Sequence, residues 1–160
     1  MTHARGGIGA AVLLALSALA ATLAVPGADA GSRVTQAAPQ CRGEAATIVG
    51  KNRDERIRGT RRKDVIVAKG GDDLVDARGG NDVICGGAGG DLLNGGSGRD
   101  EVSGDVGNDL LLGENGNDDL FGKKGDDQLN GQSGRDLCDG GSGADLAAGA
   151  CERIKSADEV

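Results

Sequence analysis

Aspartate recurs at Asp64, Asp73, Asp82, Asp91, Asp100, Asp109, Asp118, Asp127, Asp136 and Asp145, ten residues spaced nine apart without a slip. Asp makes up 19 of the 160 residues, so chance would produce such a run on the order of once in a billion trials. A carboxylate can move a proton, act as a nucleophile or hold a hard cation, and the rest of the inventory decides among these. The one histidine, His3, falls in the first thirty residues, which read as a segment removed on export, so the mature chain has no imidazole. Triads built on histidine, Cys-His dyads and His-ligated zinc or iron are therefore excluded. One Phe, no Tyr and no Trp leave no platform on which sugars or bases could stack.

The elements that must position these carboxylates share the same period. Two residues before the acid stands Gly71, Gly80, Gly89, Gly98, Gly107, Gly116, Gly125, Gly134 or Gly143, with Arg62 the one departure. Two residues after it the side chain is apolar: Ile66, Val75, Ile84, Leu93, Val102, Leu111, Leu120, Leu129, Cys138 and Ala147, a phase that Ile57 and Ile48 extend backwards. Segments such as Gly95–Asp100 read as turns, because glycine supplies the positive φ that other residues resist. The three residues after each acid read as a very short strand, its middle side chain inward and its flanks outward. Two such units predict one eighteen-residue turn of an all-β coil with a strand on each side. About six turns stack into a right-handed parallel β-roll (a β-solenoid), its strands ~4.8 Å apart and its core one side chain thick.

Residues eighteen apart then lie one above another, and the acids form two columns. One holds Asp64, Asp82, Asp100, Asp118 and Asp136; the other holds Asp73, Asp91, Asp109, Asp127 and Asp145. Carboxylates ~5 Å apart repel, and burial without a counter-charge would be costly. Gly-rich turns bring carbonyls to the same place, so the ligand set is all oxygen, which suits Ca²⁺ better than the strictly octahedral Mg²⁺. Residues 64–147 carry 18 acids against 6 bases, a balance of −12 that about six ions would neutralise. The eight pairs at eighteen-residue spacing set the upper end of an expected six to eight ions. Asp64 is the weakest member of the ladder, since Arg62 replaces its turn glycine. Stacked carboxylates also imitate the acid pair of a retaining glycosidase, but every turn repeats the pair and no insertion builds a pocket, so no catalytic residue is expected. A flat threonine row of the ice-binding kind is absent, Thr35, Thr47 and Thr60 being the only mature threonines.

Segments such as GGAGGDLLN, GGSGRDEVS and GGSGADLAA resemble the GGxGxDxUx nonapeptide of the RTX (repeats-in-toxin) family. The resemblance covers Gly59–Ala148 well and residues 44–58 loosely. It implies Ca²⁺ held between turns by the sixth-position Asp and turn carbonyls near the glycines named above, and a chain that stays disordered until calcium arrives. The family's usual C-terminal export signal and attached toxin, protease or lipase domain are not expected here, export reading as the general N-terminal route, so those activities are not carried over.

The remaining segments complete the organisation. Arg5, the apolar run Ala11–Leu23 and Ala28-Asp29-Ala30 read as a signal peptide, residues 1–30, with a small-residue cleavage site. The run is shorter than the ~20 residues a bilayer span needs, so no membrane span is expected after cleavage. Residues 31–43 form a linker or cap, 44–63 degenerate first repeats, 64–148 the calcium-binding roll and 149–160 a C-terminal cap or tail. Four cysteines in an exported chain imply disulfides. Their positions favour Cys41 with Cys85 and Cys138 with Cys151, although three pairings are open from sequence and Cys138 also suits a small buried hydrophobe. Lys51–Lys63 carries seven bases against two acids and reads as a solvated end offsetting the acidic body, with contact to a polyanion as the alternative.

The sequence thus predicts a secreted, non-enzymatic calcium-binding β-roll whose folding and ligand binding are one event. Two uses compete: a structural or adhesive surface module that meets a cell-envelope polymer or surface protein, and an extracellular calcium store or sensor. A catalytic accessory of a hydrolase is a distant third, and no nucleic-acid partner is expected.

Overall fold

The computed structural model describes residues 37–149 and 151–156; the proposed signal peptide lies outside them. Its strands are β1 (Gln40–Cys41), β2 (Glu44–Ala45), β3 (Ile48–Val49), β4 (Arg56–Arg58), β5 (Val65–Gly70), β6 (Leu74–Asp76), β7 (Val83–Ala88), β8 (Leu92–Ser97), β9 (Glu101–Val106), β10 (Leu110–Asn115), β11 (Asp119–Lys124), β12 (Gln128–Asn130), β13 (Asp136–Ser142), β14 (Leu146–Ala148) and β15 (Cys151–Ser156). The even-numbered strands from β4 to β14 form one six-stranded sheet, and the odd-numbered strands from β3 to β15 form a seven-stranded one. Successive strands in each sheet run parallel, eighteen residues out of step, as in Leu92↔Leu110↔Gln128 and Val83↔Glu101↔Asp119. This is the β-solenoid of about six turns that the nine-residue period predicts.

The core is one side chain deep. Ile66, Ile84, Val102, Leu120 and Cys138 come from one sheet, and Ile57, Val75, Leu93, Leu111 and Leu129 from the other; all are buried in one cluster with Ala68 and Ala77. Alternation enforces this, since the residue after each acid and the one two further on point outward while the middle one points in. The early units belong to the same winding, because Ile48 pairs with Ile66 and Ile57 with Val75 in register.

Three features extend the sequence reading. Many strands run to six residues rather than three, because identical turns stack well enough for pairing to continue through them, as in Lys69↔Gly87 and Lys123↔Asp105. The tail adds β15 to the seven-stranded sheet, out of phase with the eighteen-residue step: Cys138 pairs with Ile154 across register shifts. Before the roll, β1 and β2 make an antiparallel hairpin. Its buried Cys41 packs with Val65 and Val83 on the outer face of the seven-stranded sheet. The Cys41–Cys85 bridge, Cα–Cα 5.8 Å, pins the hairpin there, and Cys138–Cys151, Cα–Cα 5.5 Å, closes the other end.

Candidate metal centre

Each ladder aspartate stands where a turn enters a strand, and its two oxygens have different surroundings. Oδ1 accepts the backbone N–H of the acid position one turn earlier: Asp64 donates to Asp82 at 2.7 Å, Asp82 to Asp100 at 2.8 Å, Asp100 to Asp118 at 2.9 Å and Asp118 to Asp136 at 2.9 Å. The second column repeats the pattern, from Glu55 donating to Asp73 at 2.8 Å through Asp127 donating to Asp145 at 3.0 Å. The carboxylates therefore fasten one turn to the next before any ion is considered. Oδ2 is left over. In Asp73, Asp82, Asp91, Asp100, Asp109, Asp118, Asp127, Asp136 and Asp145 it is buried without a hydrogen-bond partner.

Burial holds seven of these carboxyls above the ordinary aspartate range, although the Oδ1 hydrogen bond acts the other way. Asp91 and Asp100 are pushed up to about 7, Asp109 and Asp118 to about 6, and Asp73, Asp82 and Asp127 are raised as well. Desolvation is the largest cause, and neighbouring ladder acids add to it. An orphaned anionic oxygen in a dry site costs free energy unless a cation or a proton meets it.

The turn backbone completes the donor set. A Cβ on Gly104, Gly122 or Gly131, five residues before Asp109, Asp127 and Asp136, would run into that acid's Oδ2. Gly98, at φ +137°, lies so close over the Gly80 carbonyl oxygen that a Cβ would overlap it, and Gly116 covers Gly98 in the same way. Among the described residues no three acidic, cysteine or histidine side chains converge on one point. Any cation here must therefore draw part of its shell from carbonyls. Beside Gly86, Gly113 and Gly122 the Oδ2 of Asp91, Asp118 or Asp127 shares its space with the carbonyl oxygen of Gly104, Gly131 or Gly140, a hard-oxygen set that fits Ca²⁺.

Asp64 departs from the pattern. Its Oδ2 accepts the Thr60 N–H at 2.7 Å and the Thr60 hydroxyl at 2.9 Å, so the protein itself satisfies it. Glu55, the acid-position residue before it, is held by Lys51 and Arg53. A second ladder escaped the sequence reading. Asp54, Asp72, Asn81, Asn108, Asn117 and Asp126, each immediately before an acid position, accept with Oδ1 the N–H of the residue eighteen later at 2.8 to 2.9 Å. The recurrence of Asx at that offset was the available signal.

The fold and the orphaned oxygens define a class, the parallel β-roll with a ladder of unpartnered carboxylate oxygens at its turns. Within that class, the family model of the RTX calcium-binding nonapeptide repeat, which itself spans four copies of the repeat, matches residues 49–84, 58–93, 79–111, 86–120 and 112–147. The chain belongs to this family. No match emerges among curated proteins or among solved structures. No helix among the described residues is long and apolar enough to cross a membrane.

Proposed function

We propose that this chain is an exported calcium-folded structural module, with residues 1–30 a cleaved signal and six to eight ions along the two aspartate columns. The observation that carries the reading is the row of nine buried, partnerless Oδ2 atoms. Calcium would supply there the positive charge and hard-oxygen coordination that no protein donor provides. The ladder's own part is to hold each Oδ2 at a fixed height through the Oδ1 bond and to keep water away from it. The bridges at both ends favour a rigid module over a sensor that works by unfolding, and they suit an oxidising compartment. A surface-anchored role against a cell-envelope polymer or protein follows from that rigidity, with storage of calcium as the rival.

The direct test is a calcium titration of the oxidised mature chain followed in the far ultraviolet. A coil spectrum in chelator that converts to strand in millimolar Ca²⁺ is expected; a spectrum indifferent to calcium overturns the proposal. Calcium-dependent retention on cell-envelope fractions separates module from store, since a pure store passes through.

A further inference from the structure

The two turn edges of the roll differ in charge. One edge carries residues 60–63, 78–81, 96–99, 114–117 and 132–135, with six bases against the single acid Glu114. The opposite edge, residues 51–54, 69–72, 87–90, 105–108, 123–126 and 141–144, holds five bases against four acids. On the first edge the position before the acid alternates: Lys63, Asn81, Arg99, Asn117, Arg135. The structure explains the alternation. Asn81 and Asn117 turn their Oδ1 atoms onto the backbone N–H groups of Arg99 and Arg135, so each asparagine is consumed in fixing the turn that presents the next cation. The bases therefore stand two turns apart, ~9.6 Å at the parallel-strand spacing, in a straight row along the stacking direction.

The row is exposed. Arg99 places one amino group on Asp119 at 2.9 Å while its side chain remains 69% accessible. Arg99, Asn117 and Arg135 also line a groove of about 410 Å³ together with Asp119, Asp136, Leu137 and Glu152. Towards the first turn, Arg61, Arg62 and Arg78 thicken the row. No aromatic side chain stands on this edge; Phe121 lies elsewhere, under Arg42 and Lys123. Base stacking is thus unsupported, and without large apolar residues among these turn positions membrane insertion is too.

We propose that this edge binds a linear, non-aromatic polyanion laid along the stacked turns, its phosphate or carboxylate groups meeting Lys63, Arg99 and Arg135. The proposal rests on the calcium reading. Only the closed roll aligns bases that lie 36 residues apart in sequence, and only a cation-filled ladder cancels the −12 of residues 64–147, which would otherwise repel an anionic polymer.

The test uses the oxidised chain at saturating free Ca²⁺ on two columns, immobilised poly(glycerol phosphate) and polygalacturonate, with far-ultraviolet spectra taken in the same buffer. The expected result is retention on at least one column, which identifies the anion. Arg99→Ala/Arg135→Ala should elute at lower salt, the slope of log affinity against log salt falling by about 1 to 2 as two lost ionic contacts require, while Lys123→Ala/Lys124→Ala on the opposite edge elutes with the parent. Equal shifts from both double variants, or no retention of a chain whose spectrum shows the roll, overturn the edge proposal and leave the calcium reading intact. A single-stranded oligonucleotide held as tightly as either polymer overturns the non-aromatic preference. A calcium-indifferent spectrum removes both readings together.

Discussion

Each ladder aspartate from Asp73 to Asp145 divides its two oxygens between a hydrogen bond that fastens the turn before it and a buried Oδ2 without a partner, and substitutions should separate the two roles. Asp109→Ala, mid-column, removes both the bond from the Asp91 N–H and an orphaned Oδ2; Asp64→Ala removes an oxygen that Thr60 already satisfies. Calcium titration by calorimetry should therefore show a larger loss of affinity for Asp109→Ala, and equal losses would contradict the ladder. Protons offer a second probe. Asp91 and Asp100, at about 7 in the metal-free roll, sit above their unfolded value, so between those limits the folded state binds more protons than the unfolded one. That contribution to stability is complete below the unfolded aspartate pKa and is lost as pH rises through about 7. In chelator, acidification from pH ~8 to ~5 should raise the strand signal, and the calcium midpoint should climb over the same interval as protons compete for Oδ2. A strand signal that instead grows with pH in chelator would falsify this assignment of the burial cost. The columns and their phase were legible in the sequence because both depend only on residue type and spacing. The split role of the two oxygens was not, since it turns on which backbone N–H each carboxyl reaches across a turn.

At the level of the turn, the fourth position before each acid from Asp73 to Asp145 has positive φ. Gly87, Gly96 and Gly141 fill it at little cost, but Lys69, Arg78, Asp105, Glu114, Lys123 and Gln132 adopt it too, at φ between 65° and 88°. A left-handed residue with a Cβ costs ~1–2 kcal/mol, partly offset by the extra chain entropy that glycine loses on folding. Gln132→Gly should therefore gain up to ~1 kcal/mol and lower the calcium midpoint. Gly96→Ala, at φ +100° and facing the Arg78 carbonyl oxygen, should raise that midpoint; a Gln132→Gly chain that needs more calcium than the parent would refute the strain argument. The same turns show where element-level reading stops. Their existence follows from clustered glycine, yet the continuation of strand pairing through Lys69↔Gly87 and Gly70↔Ala88 depends on stacked turns sharing one backbone shape. The hairpin of Gln40–Ala45 carries no repeat at all. It is held by burial of Cys41 against Val65 and Val83, a contact between residues distant in sequence that no local pattern announces.

For the molecule as a whole, the thin core makes stability a matter of what fastens the stack, and the bridges act at opposite ends of it. Cys41–Cys85 encloses 44 residues and ties the hairpin to the third strand of the seven-stranded sheet; Cys138–Cys151 encloses 13 and holds β15 to the last full turn. Sequence position alone favoured these pairs, because Cys138 sits in the inward apolar phase near one end while Cys41 precedes the first strand. Each bridge restricts the unfolded chain, by about 4 kcal/mol for the longer loop and about 3 kcal/mol for the shorter on loop-closure grounds. If about six ions bind only to the folded roll, a stability loss is shared among them. The calcium midpoint should then rise about threefold in Cys41→Ala/Cys85→Ala and about twofold in Cys138→Ala/Cys151→Ala. Parallel calcium titrations of the two double variants check both the order and the size. A reversed order would show that the C-terminal strand, with its out-of-phase pairing of Cys138 and Ile154, governs closure of the roll. No shift in either would mean that calcium bridging alone fixes the ends and that the hairpin contributes nothing to folding.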